Sequence, residues 1–375
     1  MKQPMKHLLS FLIFIVLVVS VSFQMSFKRG YEVDSSSHFV ERPVLNATLL
    51  KLACVDMGES KLSQEIESLL EGNFKMQGRT RTFMSTGKQR IDVRVRSARG
   101  IPVSLRSPEF YRLWMEFRKN LQKWSRRRRF QGNMMSNLVD SFNGIVDVRK
   151  KHKTCAVVGN SGILLNHEYG KLIDSHEVVI RLNNARISHF EKNVGLKTSI
   201  SFVNSNILHL CARRESCYCH PYGEKVPIVM YMCQPVHFFD YVLCNSSHKA
   251  PLIITDPGFD ALCSRIVKYY SLKRFIEVAA KDVGEWGSAH DGINFHYSSG
   301  MQAIMLALGV CDEVSIFGFG KSDKAKHHYH TNQKAELQLH DYEAEYEFYR
   351  DLVHKPRVIP FISDKFKFPA VILYQ

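Results

Sequence analysis

Four stretches of this sequence hold side chains suited to gripping a nucleotide and moving a proton. The first is Gly159-Asn160-Ser161-Gly162, at the carboxyl end of an apolar run, Cys155–Val158, that reads as a buried strand. Ligands of open α/β sheets bind at such ends, where glycines let backbone amides approach a phosphate and Asn and Ser add hydrogen bonds. It is not a Walker loop, because no Gly-Lys-Ser/Thr follows. The second, Arg181-Leu182-Asn183-Asn184, closes the next β-rich run. The third, Tyr297-Ser298-Ser299-Gly300, precedes an apolar helical run, so its hydroxyls are cap candidates and its amides can receive an anion. The fourth is "HHYHTN", His327 to Asn332, with His340 and Glu345 after it. Histidine is the side chain most easily set near neutrality for general-base work. Each stretch also has a plain reading, as a turn, a strand exit, a helix cap or a surface loop. Three histidines within four residues suggest a metal, yet the chain has no Asp-x-Asp pair to hold a divalent ion beside a diphosphate. Cys211, Cys217, Cys219 and His220 have zinc-ligand chemistry at a spacing tight for one tetrahedral site, and disulfides are the stronger reading.

The elements that must position these residues alternate in type. Strand candidates at 155–158, 176–185, 198–205, 226–232, 251–256 and 312–317 are interleaved with helical stretches, among them 262–280 and the run after Ser299. This order predicts βαβ units and a mostly parallel sheet flanked by helices, in one α/β domain over residues 91–375. The basic stretch 91–130 has helical spacing at Leu113, Met115, Phe117, Leu121 and Trp124 and ends in the run Arg126–Arg129.

The N-terminus sets the compartment. After a short tail, residues 1–7, an apolar run covers 8–27, twenty residues or roughly 30 Å of helix, enough to span a bilayer core. An uncleaved signal anchor is favoured over a cleaved signal peptide. Residues 28–90 then read as a polar stem. The sequons at Asn46 and Asn245 fit a lumenal chain. Lys plus Arg number 51 against 36 Asp plus Glu, a formal charge of +15 that favours anionic partners. In a lumenal chain the Arg run is a solvated or membrane-facing patch, and nucleic acid is not expected as a partner. Nine cysteines cannot all pair within one chain; Cys54, in the stem, could bridge two chains into a homodimer or be the one left over.

Together the four stretches resemble a known family. "CAVVGNSGILLNHEYGKLIDSHEVVIRLNNA" is similar to the large sialylmotif of the eukaryotic sialyltransferases, glycosyltransferase family 29, and "YSSGMQAIMLALGVCDEVSIFGFG" to the small one. "HHYHTN" resembles motif III, and "HDYEAE", His340 to Glu345, the very small motif of His, four residues, then Glu. The four stand in family order, and the wording is closest to the plant sialyltransferase-like branch. The resemblance implies a Rossmann-like glycosyltransferase A variant on a type II anchor in the Golgi membrane, with no metal or other cofactor. It implies a CMP-sugar donor, carrying sialic acid or a Kdo-like 2-keto acid, and a glycan acceptor. It further implies a disulfide between Cys155 and Cys311, and donor contacts from Asn160, Ser161, Asn183, Ser298, Ser299 and Gly300. His340 falls on the catalytic base and His328 on the phosphate-binding histidine, with His327 its neighbour. Tyr297 stands where the family often has proline, and His330-Thr331 replaces an aromatic and an acidic residue. The expected reaction is a single inverting displacement. The alternative is a catalytically inactive Golgi protein that binds glycan or nucleotide, or acts as a scaffold.

Overall fold

The computed structural model describes residues 45–76, 79–82, 95–96, 102–103, 108–128, 134–135, 137–138, 151–207, 220–245, 249–322, 324–331, 337 and 339–375. The expected anchor, 8–27, lies outside the described residues. Among those described, no helix is long and apolar enough to cross a membrane.

Seven strands form one sheet: β1 (His152–Val158), β2 (Val178–Leu182), β3 (Ile200–Asn204), β4 (Ile228–Tyr231), β5 (Leu252–Ile254), β6 (Cys311–Phe317) and β7 (Ala370–Tyr374). Their order is β7-β6-β1-β2-β3-β4-β5, and every pairing is parallel. The chain runs outward from β1 to β5 and then returns to the other side of β1 with β6, so the order reverses between β1 and β6. A parallel sheet is covered on both faces, and near-continuous apolar strands follow from that. Cys155–Val158 and all of β2 are buried.

Alternation along the strands sorts the core into two faces. Cys155, Val157, Ile180, Val314 and Ile316 point to helices α6 (Pro257–Glu277), α7 (Ser299–Val310) and α8 (Tyr342–His354). Ala156, Val158, Val179 and Phe317 point to a second layer containing α4 (Gly170–Ser175). Beyond β4 and β5, α3 (Pro108–Arg126) and α5 (Phe238–Asn245) build a third cluster around Phe117, Leu121 and Phe238. Every residue of α7 is buried, as a helix with almost no polar side chain must be. Helix α6 begins five residues before the stretch read from sequence, because Asp256 caps it and Pro257 opens it.

Part of the stretch read as stem is built into the domain. Helices α1 (Ala47–Ala53) and α2 (Glu59–Leu70) bury Leu49 and Ala53 in one cluster and Ile66 and Leu69 in another. Asn46 is exposed and caps α1, its Oδ1 accepting from the amides of Thr48 and Leu49. Asn245 is the last residue of α5. From the arginine run, Arg128 pairs with Glu59 at 2.8 Å and so ties α3 to α2. Cys155 and Cys311 are joined by a disulfide, with Cα atoms 5.9 Å apart. Cys244 is also disulfide-bonded. Cys54 is exposed and unpaired, and Cys211, Cys217 and Cys219 lie outside the described residues.

Candidate active site

The carboxyl ends of five strands open into one cavity of about 1200 Å³. It is lined after β1 by Gly159–Ser161, after β2 by Asn183, after β3 by Asn204 and after β4 by Tyr231. After β6 it is lined by Gly318–Ser322 and Lys324–His328. The N-terminus of α7, Ser298–Gly300, and His340, Tyr342 and Glu345 complete the wall. This is the crevice that reversal of strand order creates between β1 and β6.

Close backbone approach holds the floor together. The Gly159 amide donates to the Phe317 carbonyl at 2.7 Å. A Cβ at Gly159 would lie 2.5 Å from the Gly318 oxygen and 2.9 Å from the Phe319 ring, so only glycine fits. Ser161 Oγ donates to the Gly320 carbonyl at 2.7 Å and accepts from the Ile163 amide. Its hydroxyl thus clasps the β1 and β6 loops to each other. Asn160 Oδ1, by contrast, is buried without a hydrogen-bond partner among the described residues. An unpaired carbonyl in a polar cavity marks a place for a ligand hydroxyl or amine.

Asn183 adopts a left-handed backbone, φ 53°, which Asn tolerates better than most residues. That conformation turns its amide across the cavity floor. Oδ1 accepts from the Asn204 amide at 3.0 Å, and Nδ2 donates to Ser299 Oγ at 3.3 Å. Its neighbour Arg181 points the other way. Only 1% exposed, it donates through Nε to the Lys197 carbonyl and Thr198 Oγ1, and burial lowers its pKa. The strand ends between the two, at Leu182, and the left-handed turn at Asn183 carries the asparagines of the second stretch onto the cavity while its arginine stays within the sheet.

Ser298 caps α7, its Oγ accepting from the Met301 amide. Glu345, 1% exposed, receives both the Ser298 amide at 2.7 Å and the Ser298 hydroxyl, and Tyr349 Oη at 2.9 Å. Burial raises the Glu345 carboxyl to about 7. The helix geometry leaves the amides of Ser299 and Gly300 without an intrahelical acceptor, and both residues line the cavity. Tyr297 is a structural residue: buried, stacked on Tyr231, with its hydroxyl donating to the Asp260 carbonyl at 3.0 Å.

The histidines gather around Tyr342, at the start of α8. His327 and His328 both line the cavity and stack at 4.4 Å, and His328 stacks on His330 at 5.8 Å. Burial lowers the pKa of His328; it lowers His330 to about 4, helped by the charges of His328 and Arg186. The loop is pinned by the Tyr329 amide, which donates to the Asn160 carbonyl at 2.9 Å. His340 pairs with His296 in a short parallel bridge and meets the Tyr342 ring edge-on at 5.4 Å. Every expected donor or catalytic residue therefore lines one cavity. Sequence reasoning did not find Tyr342, or the lysines of the β6 loop; only their place in the fold marks them. No cluster of three or more histidine, cysteine or acidic side chains fit to hold a metal occurs among the described residues.

A family model described as glycosyltransferase family 29 (sialyltransferase) matches residues 106–357. The β-1,6-galactosyltransferase GALT29A of Arabidopsis thaliana is 50% identical over 398 residues, covering 100% of both chains. Sialyltransferase-like protein 1 of Oryza sativa subsp. indica is 46% identical over 399 residues, also covering 100% of both. A CMP-N-acetylneuraminate-beta-galactosamide-alpha-2,3-sialyltransferase 1 of Gallus gallus is 32% identical over 186 residues, 48% of each chain.

Proposed function

The chain belongs to glycosyltransferase family 29, the sialyltransferase family, and we propose that it transfers a sugar from a nucleotide-activated donor to a glycan hydroxyl. The observation that carries this reading is the single cavity in which His340, His328, both asparagines and the α7 N-terminus converge. His340 takes the proton from the acceptor hydroxyl as its oxygen attacks the anomeric carbon. The bond from that carbon to the donor phosphate breaks in the same step, the electron pair leaves with the nucleotide, and the centre inverts. His328 donates a hydrogen bond to the departing phosphate, beside the free amides of Ser299 and Gly300. Asn160 and Asn183 hold the nucleotide. Ser161 and Ser298 act one step back, fixing the loops that carry those amides.

Galactose is the sugar the full-length relative's name supports. A 2-keto acid from a CMP donor, sialic acid or Kdo, is the second reading, supported by the animal relatives that match half the chain. The fold is read as a glycosyltransferase A variant. The chain is placed as a type II Golgi membrane protein with its domain lumenal, from its apolar N-terminal run and its sequons. No metal cofactor is proposed, because the chain lacks an Asp-x-Asp pair and the one carboxylate among the described lining residues, Glu345, is engaged by Ser298 and Tyr349.

The test is nucleotide release by the full-length protein from UDP-galactose, CMP-sialic acid and CMP-Kdo, with and without glycan acceptors. Release from one donor, falling at least about 100-fold in His340→Ala, is the expected result. Folded protein that transfers from none of them to any glycan would overturn the reading and leave a binding or scaffold role.

A further inference from the structure

Among the described residues of the cavity wall, the lysines all stand on one loop. Between the end of β6 and His328, Lys321, Lys324 and Lys326 all line the cavity, exposed at its rim. None of the three pairs with a carboxylate of a described residue. The one described carboxylate in the wall, Glu345, is buried and turned toward Ser298 and Tyr349. The loop is also aimed. Lys321 Nζ lies 4.8 Å from the centre of the Tyr342 ring. That same ring meets His340 edge-on at 5.4 Å and His327 edge-on at 5.5 Å. The cation thus rests on a ring that touches both His340, read as base, and His327, the neighbour of the phosphate histidine.

We infer that Lys321, Lys324 and Lys326 bind a second anionic group of the donor, beyond the phosphate next to the nucleoside, and that this group is the β-phosphate of a nucleoside diphosphate sugar. The inference rests on the glycosyl-transfer reading above and narrows its donor. Two chemistries could supply a second anion: a β-phosphate, or the carboxylate of a 2-keto acid on a monophosphate donor. They differ in what happens during the reaction. Departure of a nucleoside diphosphate builds charge on the second phosphate itself, where fixed ammonium groups stabilise the transition state more than the ground state. A sugar carboxylate gains no charge and leaves with the acceptor. Three lysines with no carboxylate partner among the described residues, on the loop leading to the phosphate histidine, match the first pattern. They also supply the neutralisation that a divalent ion on an Asp-x-Asp pair would otherwise give a diphosphate.

The experiment isolates the second phosphate. Full-length protein is titrated with UDP and UMP, and with CDP and CMP, in excess EDTA, and dissociation constants are measured calorimetrically. Within each pair the diphosphate is expected to bind at least tenfold more tightly. In the triple variant Lys321→Ala, Lys324→Ala, Lys326→Ala the preference is expected to fall below threefold, with monophosphate affinity unchanged. All three side chains are exposed, so an unchanged melting temperature in the variant serves as the check on folding. Equal binding of mono- and diphosphate by the wild type, or a preference that survives the triple substitution, overturns the inference. Loss of CMP-sialic acid or CMP-Kdo turnover in the variant, with no diphosphate preference in the wild type, assigns the lysines to a carboxylate and also overturns it. In those cases the transfer reading still stands. That reading fails separately, if nucleotides bind and no donor is turned over onto a glycan.

Discussion

Glu345 offers the most quantitative test of how the site is held. Its carboxyl is the acceptor for the Ser298 amide, the Ser298 hydroxyl and Tyr349 Oη, and so fixes the N-terminus of α7 against α8. Burial raises it from an ordinary 4.5 to about 7. Between those values the native state keeps a proton that the unfolded chain has released. The raised carboxyl therefore contributes stability that is complete below pH 4.5 and lost as pH rises through 7. The gap, at about 1.36 kcal/mol per pH unit, amounts to about 3 kcal/mol. Glu345→Gln keeps the shape, can accept from the Ser298 amide, and cannot titrate. Urea unfolding of wild type and Glu345→Gln, compared at steps from pH 4.5 to 7.5, should show their stability difference drifting by about 3 kcal/mol in favour of Gln. Taking the difference cancels every other titrating group. Glu345→Ala, which strands three donors and leaves a cavity, should cost about 3–5 kcal/mol at neutral pH. A Gln-to-wild-type difference flat to within about 0.5 kcal/mol over this range would refute the argument.

Three further outcomes follow from the geometry. Gly159→Ala should destabilise the protein by about 1–3 kcal/mol and weaken nucleotide binding, because the new methyl meets the Gly318 oxygen; unfolding curves and calorimetric titration read both. Replacing Cys155 and Cys311 with Ala should cost about 2–5 kcal/mol, since the bridge closes a separation of 156 residues; denaturant midpoints measure this. Enzymatic deglycosylation of protein from a secretory host should raise mobility on a gel, and Asn46→Gln should remove part of that change; an unglycosylated chain would count against lumenal placement.

The central strands and their loops were legible because they must be. A strand covered on both faces has to be apolar, so Cys155–Val158 and Val178–Leu182 stand out, and the polar residues that end them mark the cavity. Strand β7 was not read: five apolar residues after Pro369 carry no turn signal, and only pairing with β6 makes them a strand. The helices of residues 47–70 were read as stem because their apolar stripes are short, and it is contact with α6, α3 and the sheet edge that buries them. Arg181 resembled a ligand contact by its place in the sequence, whereas it lies inside β2 on the face it shares with Val179, bonded to the Lys197 carbonyl, and only the residues after Leu182 reach the cavity. The partner of Glu345 could not be read from any local pattern, because Ser298 lies 47 residues away.

The position of β1 at the middle of the sheet has a consequence for biosynthesis. Its neighbour β6 begins at Cys311, and the chain between Cys155 and its disulfide partner takes about 8–30 s to make at roughly 5–20 residues per second. For that interval one edge of β1 has no mate and half of the cavity does not exist. Seven other cysteines emerge before Cys311, each a potential wrong partner for Cys155 in an oxidising compartment. The layer that buries Cys155, helices α6, α7 and α8, is itself made late in that interval or after it, so the cover and the disulfide partner reach the thiol almost together.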